Sequence, residues 1–151
     1  MRFLFRLQTL LNWKRNLEES SQMRLAEKIK QLEAQEEEIR RLMHQRFEMS
    51  QRLNEKMIEG IQVGEYLIYK KFTEDSYNDL LQKETKKKKM MEEVEGEREH
   101  LIVLMKERKV LEKIKEKRFK KFISQMEKLE QKSNDERVVM KYRPTPKEDS
   151  L

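Results

Sequence analysis

The sequence predicts an all-α protein, an elongated two-helix antiparallel coiled-coil hairpin, and three observations carry that expectation. Of 151 residues, 42% are charged and only 36% hydrophobic, with three glycines, two prolines and no cysteine. A compact domain of this length buries well over half the surface of its unfolded chain and needs more apolar side chains than these. Such charge also suits disorder, yet the abundant Leu, Met, Glu and Lys are good helix formers and helix breakers are scarce. The second observation is periodicity: apolar residues recur at alternating spacings of three and four, which aligns them on one helix face. The third is that Gly60 and Gly64 fall together between two such stretches.

Helix one is expected over about 3–58, where Leu4, Leu7, Leu11, Leu25, Leu32, Ile39, Leu42, Met49 and Leu53 share one stripe. The turn follows at about 60–64, because glycine accepts the left-handed conformation at a helix C-terminus. Glu65 suits the start of the next helix dipole. Helix two is expected over about 65–140, its stripe running from Tyr66 through Leu80, Met90, Val94, Leu101, Leu104, Leu111, Phe122 and Leu129. Together they make a single antiparallel coiled coil over about 1–141, in which residues whose numbers sum to about 121 lie opposite each other. The paired part would be on the order of 85 Å long, with helix two overhanging from Arg118 to about Met140. Pro144 and Pro146 end the helix, and a disordered tail is expected over about 142–151.

The seam is poor in apolar residues. Lys14, Glu18, Ser21, Lys28, Gln35, Arg46 and Lys56 occupy core positions of helix one. Thr73, Ser76, Lys83, Lys87, Glu97, Arg108, Lys115 and Arg118 do so in helix two. Long basic side chains can cover a seam with their methylenes while their heads stay in water, so the hairpin survives but is marginal. Meanwhile Phe5, Trp13, Phe47, Phe72, Tyr77 and Phe119 fall outside it. A rod with a weak core and apolar residues on its flanks is built to be gripped by something else.

Composition and motifs exclude several classes. No stretch approaches the roughly 20 apolar residues of a spanning helix. Arg6 interrupts any signal-peptide core, which suggests a cytoplasmic chain. Lacking cysteine, the chain has no disulfide, thiolate metal site or thiol nucleophile. No phosphate-binding glycine loop or nucleophile elbow is present. Glu97 and His100 have the Glu-x-x-His spacing of di-iron bundles, but the other ligands of such a site are missing. No catalytic residue, metal site or cofactor is expected.

Net charge is +6, from 35 Lys and Arg against 29 Asp and Glu. The densest basic run, Lys86 to Lys89, points around most of a helix; it reads as a solvated patch, or as a non-specific contact for phosphates or an acidic protein. Without an aromatic platform, specific nucleic-acid binding is not expected. The segment Arg2 to Arg15 is the most apolar and carries only basic charge. It suits a helix end plugged into a protein channel, a helix start packed on its partner, or an interfacial membrane helix with at most peripheral contact. A basic coiled coil on nucleic acid or anionic membrane, and a generic oligomeric scaffold, stay open as alternatives.

Three motifs, in order, resemble the FliJ family of the flagellar type III export apparatus. These are Phe5-Arg6-Leu7-x-x-Leu10-Leu11-x-x-Lys14-Arg15, then Gly60-Ile61 followed by Tyr69 and Phe72, then Glu107-Arg108-Lys109-x-Leu111-Glu112-Lys113. The resemblance covers essentially the whole chain. It implies a rod similar to the central stalk of rotary ATPases, whose joined N- and C-terminal ends enter the hexameric ring of the export ATPase FliI. The hairpin would reach the export gate FlhA, with FliH and export chaperones as further partners, at the inner face of the cell membrane. Leu42 and Phe72 match the family's gate-contact pattern. Gln45, Met49, Ser76, Asp79 and Lys83 do not reproduce its aromatic or apolar character. For the ring end, geometry alone selects Leu7, Leu11, Arg15, Arg118 and Phe122.

Overall fold

The computed structural model describes residues 1–142, so the expected tail lies, from 143 onward, outside the described residues. Two α-helices make up the fold, α1 (Gln8–Glu59) and α2 (Val63–Lys141). The chain divides into two compact units, one of Met1–Arg15 with the chain from Lys106 onward, the other of Asn16–Met105. Each contains a stretch of both helices packed antiparallel.

α1 starts at Gln8, later than the stripe suggested. Leu4 and Leu7 fit the helical spacing, but Phe3 and Phe5 alternate with a period of two, which only an extended chain turns to one side. Leu4 is accordingly exposed while Phe5, expected outside the seam, is buried. The entry is closed by the Gln8 amide donating to the Phe5 carbonyl at 3.0 Å.

At the turn, Gly60 has φ of 101°, the left-handed residue that ends α1. α2 begins at Val63, inside the expected turn, with the Tyr66 amide donating to the Gln62 carbonyl at 3.0 Å. Lys56 pairs with Glu65 across it, and that hydrogen bond, with a second that the lysine donates to Tyr69, raises the lysine above its ordinary pKa. Gly60→Ala is expected to cost about 1 kcal/mol, because an L side chain is strained at this φ even though a Cβ meets nothing there. Gly64→Ala, in the first turn of α2 and equally uncrowded, should instead gain up to about 1 kcal/mol. Thermal melts of the two variants should shift in opposite directions.

Along α1, every position on the alternating spacing from Leu11 to Lys56 is buried or half-buried, the polar ones included. Lys14 meets Glu107 in one unit; Arg24 meets Glu97, Glu38 meets Lys83 and Lys56 meets Glu65 in the other, and each of these pairs of numbers sums to 121. Along α2 three positions depart from the expected stripe, since Arg118 and Leu129 are exposed as well as Thr73. Thr73 is exposed and its hydroxyl donates to the Tyr69 carbonyl, while Phe72 takes the half-buried place.

Within the 16–105 unit several polar seam positions find partners across the pair. The Gln35 amide donates to the Lys83 carbonyl at 3.0 Å, and Arg46 Nε donates to Ser76 Oγ at 3.1 Å. Glu97, whose side chain is 12% exposed, accepts from Ser21 Oγ, Arg24 Nε and Lys28 Nζ at 3.1, 3.2 and 3.5 Å. Its oxygens are thus held by three donors from α1. Buried polar groups paired this way specify register more than they add stability.

Burial by itself pushes the Glu97 carboxyl up, but hydrogen bonds from Arg24 and Ser21 and the charges of Arg24 and Lys28 outweigh it and hold its pKa low. Glu112 is held low in the same way, against burial, by Arg108 and Arg15. A carboxylate whose folded pKa lies below its unfolded value, 4.5 here, stabilises the fold above that pH. The contribution is lost as pH falls through the folded value. The melting temperature should therefore hold between about pH 7 and 5 and fall below about pH 4.5, and Glu97→Gln should flatten that acid limb.

Candidate functional site

The residues selected for the ring end gather in the unit formed by 1–15 and the chain from Lys106. Phe5, Leu11 and Leu111 form its buried core, with Phe3, Leu7 and Ile114 packed against it. The non-helical N-terminal segment lies on α2 as an aromatic clasp. Phe3 meets Phe119 edge-on, centroids 5.3 Å apart at 74°, and Phe122 at 5.5 Å and 49°. Arg118 lies over the Phe5 ring at 5.6 Å, so its cation caps the core from outside instead of occupying the seam. Arg15 reaches Glu112 at 3.2 Å, and Arg108 holds the same carboxylate at 2.8 Å.

These five residues therefore divide by role. Leu11 is fully buried and offers no surface; Leu7 and Phe122 are half-buried; Arg15 and Arg118 are exposed. Beyond Phe122, α2 has no α1 residue against it. From Ile123 to Tyr142 only Met126 is half-buried, and Ile123, Leu129, Val138, Val139 and Met140 are exposed. Phe3 was not singled out by sequence reasoning; its signal is the period-two spacing with Phe5.

The two gate-matched residues lie in the other unit. Leu42 is buried in the seam. Phe72 is half-buried and borders a shallow depression with Gln45, Glu48, Met49 and Arg52, so it is the apolar member of an otherwise mostly polar flank. Nearby, Lys83 pairs with both Glu38 and Asp79. By the register of the pair, Lys86 to Lys89 stand level with Leu32 to Gln35 of α1, where Glu33 is the one acidic residue.

No helix among the described residues is long and apolar enough to cross a membrane. Two long helices packed against each other, with a half-polar seam and no strand among the described residues, define an all-α helical hairpin. A family model described as the flagellar FliJ protein matches residues 3–147, and the chain belongs to that family. It is thereby a component of the flagellar protein-export apparatus. Comparisons with curated proteins and with solved structures give no match.

Proposed function

We propose that this chain is a stalk-like adaptor of the export apparatus with no catalysis of its own. The unit containing both chain ends inserts into the hexameric ring of the export ATPase FliI, promotes assembly of that ring and raises its activity. The other unit carries the contact with the export gate FlhA, and FliH and export chaperones are further partners. The protein works on the cytoplasmic side, held peripherally at the membrane through these partners.

The observation that supports this reading best is the bare continuation of α2 beyond the aromatic clasp. A single helix about 10–12 Å across, with apolar residues on several sides and no helix against it, suits a channel lined by several copies of one protein. The exposed Arg15 and Arg118 at its base would meet carboxylates at the mouth of such a ring. For the gate, Phe72 is the one of the two matched residues with apolar surface to offer, whereas Leu42 is buried in the seam.

Two measurements on one variant test the division of labour. Phe72→Ala should weaken binding to the soluble domain of FlhA by roughly tenfold, the loss typical of a partly exposed aromatic contact, and leave stimulation of the ATPase unchanged. Equal loss of both would contradict a gate contact separate from the ring contact.

A further inference from the structure

The two flanks of the helix pair in the 16–105 unit differ in character. Residues directly preceding seam positions form one flank: Gln45 and Arg52 border Phe72, and Glu38 borders Asp79 and Lys86. Over positions 38–52 and 72–86 Phe72 is its one apolar residue, while Ile68 and Val103, further along the same flank, are exposed too. The other flank consists of residues directly following seam positions, which an antiparallel pair brings to the same side from both helices. There stand Met43, Phe47 and Met57 of α1 with Leu67, Tyr77 and Leu81 of α2, each between 48% and 60% exposed, interspersed with Ser50, Asn54, Lys70 and Glu74. The Arg46 guanidinium, 5.4 Å from the Tyr77 ring centroid, shows the two helices meeting on that side.

The floor of this flank is cationic. Arg46 occupies a seam position, donates to the Ser76 hydroxyl and stacks on Tyr77, and among the described residues no carboxylate pairs with it. Covering the flank with a purely apolar surface would bury a guanidinium without a counter-charge, which costs several kcal/mol. An occupant must bring the missing carboxylate. It must also be slim. The six apolar residues run over about four helical turns on each helix, roughly 21 Å, and offer on the order of 600 Å², which is the footprint of one helix of about 15 residues lying between two others.

We infer that this flank docks one amphipathic helix of a partner protein, whose apolar face carries an acidic residue that pairs with Arg46. The site is on the opposite side of the pair from Phe72 and does not rest on the ring or gate contacts proposed above. Phe47, at the centre and most exposed of the six, anchors the helix, and the Arg46 pair fixes its register.

A photocrosslinking side chain, p-benzoylphenylalanine, placed at position 47 in the full-length protein in cells tests this directly. The expected result is a crosslink that maps to one amphipathic helical segment bearing an acidic residue among its apolar positions. A synthetic peptide of that segment should then bind the purified protein. Phe47→Asp should weaken it at least tenfold, and replacing the peptide's acidic residue by lysine should do the same while Phe72→Ala leaves binding unchanged. Circular dichroism of Phe47→Asp, a change at an exposed position, checks that the helices persist. Crosslinks to a second copy of the chain or to lipid would overturn the proposal, as would a partner peptide whose affinity ignores its own acidic residue.

Discussion

Leu11→Ala is expected to cost about 3 kcal/mol, within the 2–5 kcal/mol range of buried leucine truncations, and to be the most damaging single truncation in the chain. Among the described residues Leu11 is the one large apolar side chain with no exposed surface, and the core around it is small. Phe5 and Leu111 flank it, and the aromatic clasp rests on that cluster through Phe3. A void left there cannot be filled by collapse, because one side is a non-helical segment already pinned to α2. The lost contacts should loosen residues 1–7 first. Trp13, the sole tryptophan, lies two positions away and half exposed, so its emission follows this unit during denaturation. A midpoint shift equivalent to less than about 1 kcal/mol would show that the cluster does not hold the unit together.

The second large effect concerns function without stability. Truncation after Ile123 removes the part of α2 that has no α1 residue against it and no buried side chain among the described residues. The remaining hairpin should melt as the full chain does, with a far-UV helical signal reduced only by the residues removed. Its action on the export ATPase should nevertheless be lost, because the exposed apolar residues from Leu129 to Met140 are those proposed to contact the ring. A truncated chain that melts much earlier would mean that the overhang supports the fold. Unaltered action on the ATPase would place the ring contact elsewhere.

Much of this architecture was legible because a coiled coil writes its packing into a linear spacing. Leu32, Ile39, Leu42 and Met49 announced the face of α1. The same spacing assigned Ser21, Gln35 and Ser76 to the interior although they are polar, and they are buried. Gly60 and Gly64 located the fold-back, and from it the facing pairs Lys14–Glu107, Arg24–Glu97 and Lys83–Glu38 followed by counting. The N-terminus misled, since Leu4 and Leu7 keep the helical spacing while Phe3 and Phe5 keep the extended one. Only the tertiary clasp with Phe119 and Phe122 decides between them.

The candidate sites were less legible. Spacing identifies which residues face the partner helix, but not how far each is covered once both helices are in place. Leu42 and Leu11 were selected as contacts and lie in the interior, whereas Phe72 keeps an exposed edge because Thr73 turns away. The three donors on Glu97 come from one face of α1 spread over two turns, a convergence visible only when α2 is laid against it. Similarly, Met43, Phe47, Tyr77 and Leu81 are scattered in sequence and become one apolar flank only through the antiparallel pairing.

The central claim is that a slim helical end of this chain works inside the ATPase ring. Titrating the purified protein into the cognate export ATPase while following phosphate release tests it most directly, alongside the chain truncated after Ile123. The account predicts a rise in hydrolysis that saturates at one chain per hexamer, accompanied by ring assembly, and no rise with the truncated chain. Hydrolysis unchanged at every ratio of full-length protein would contradict it.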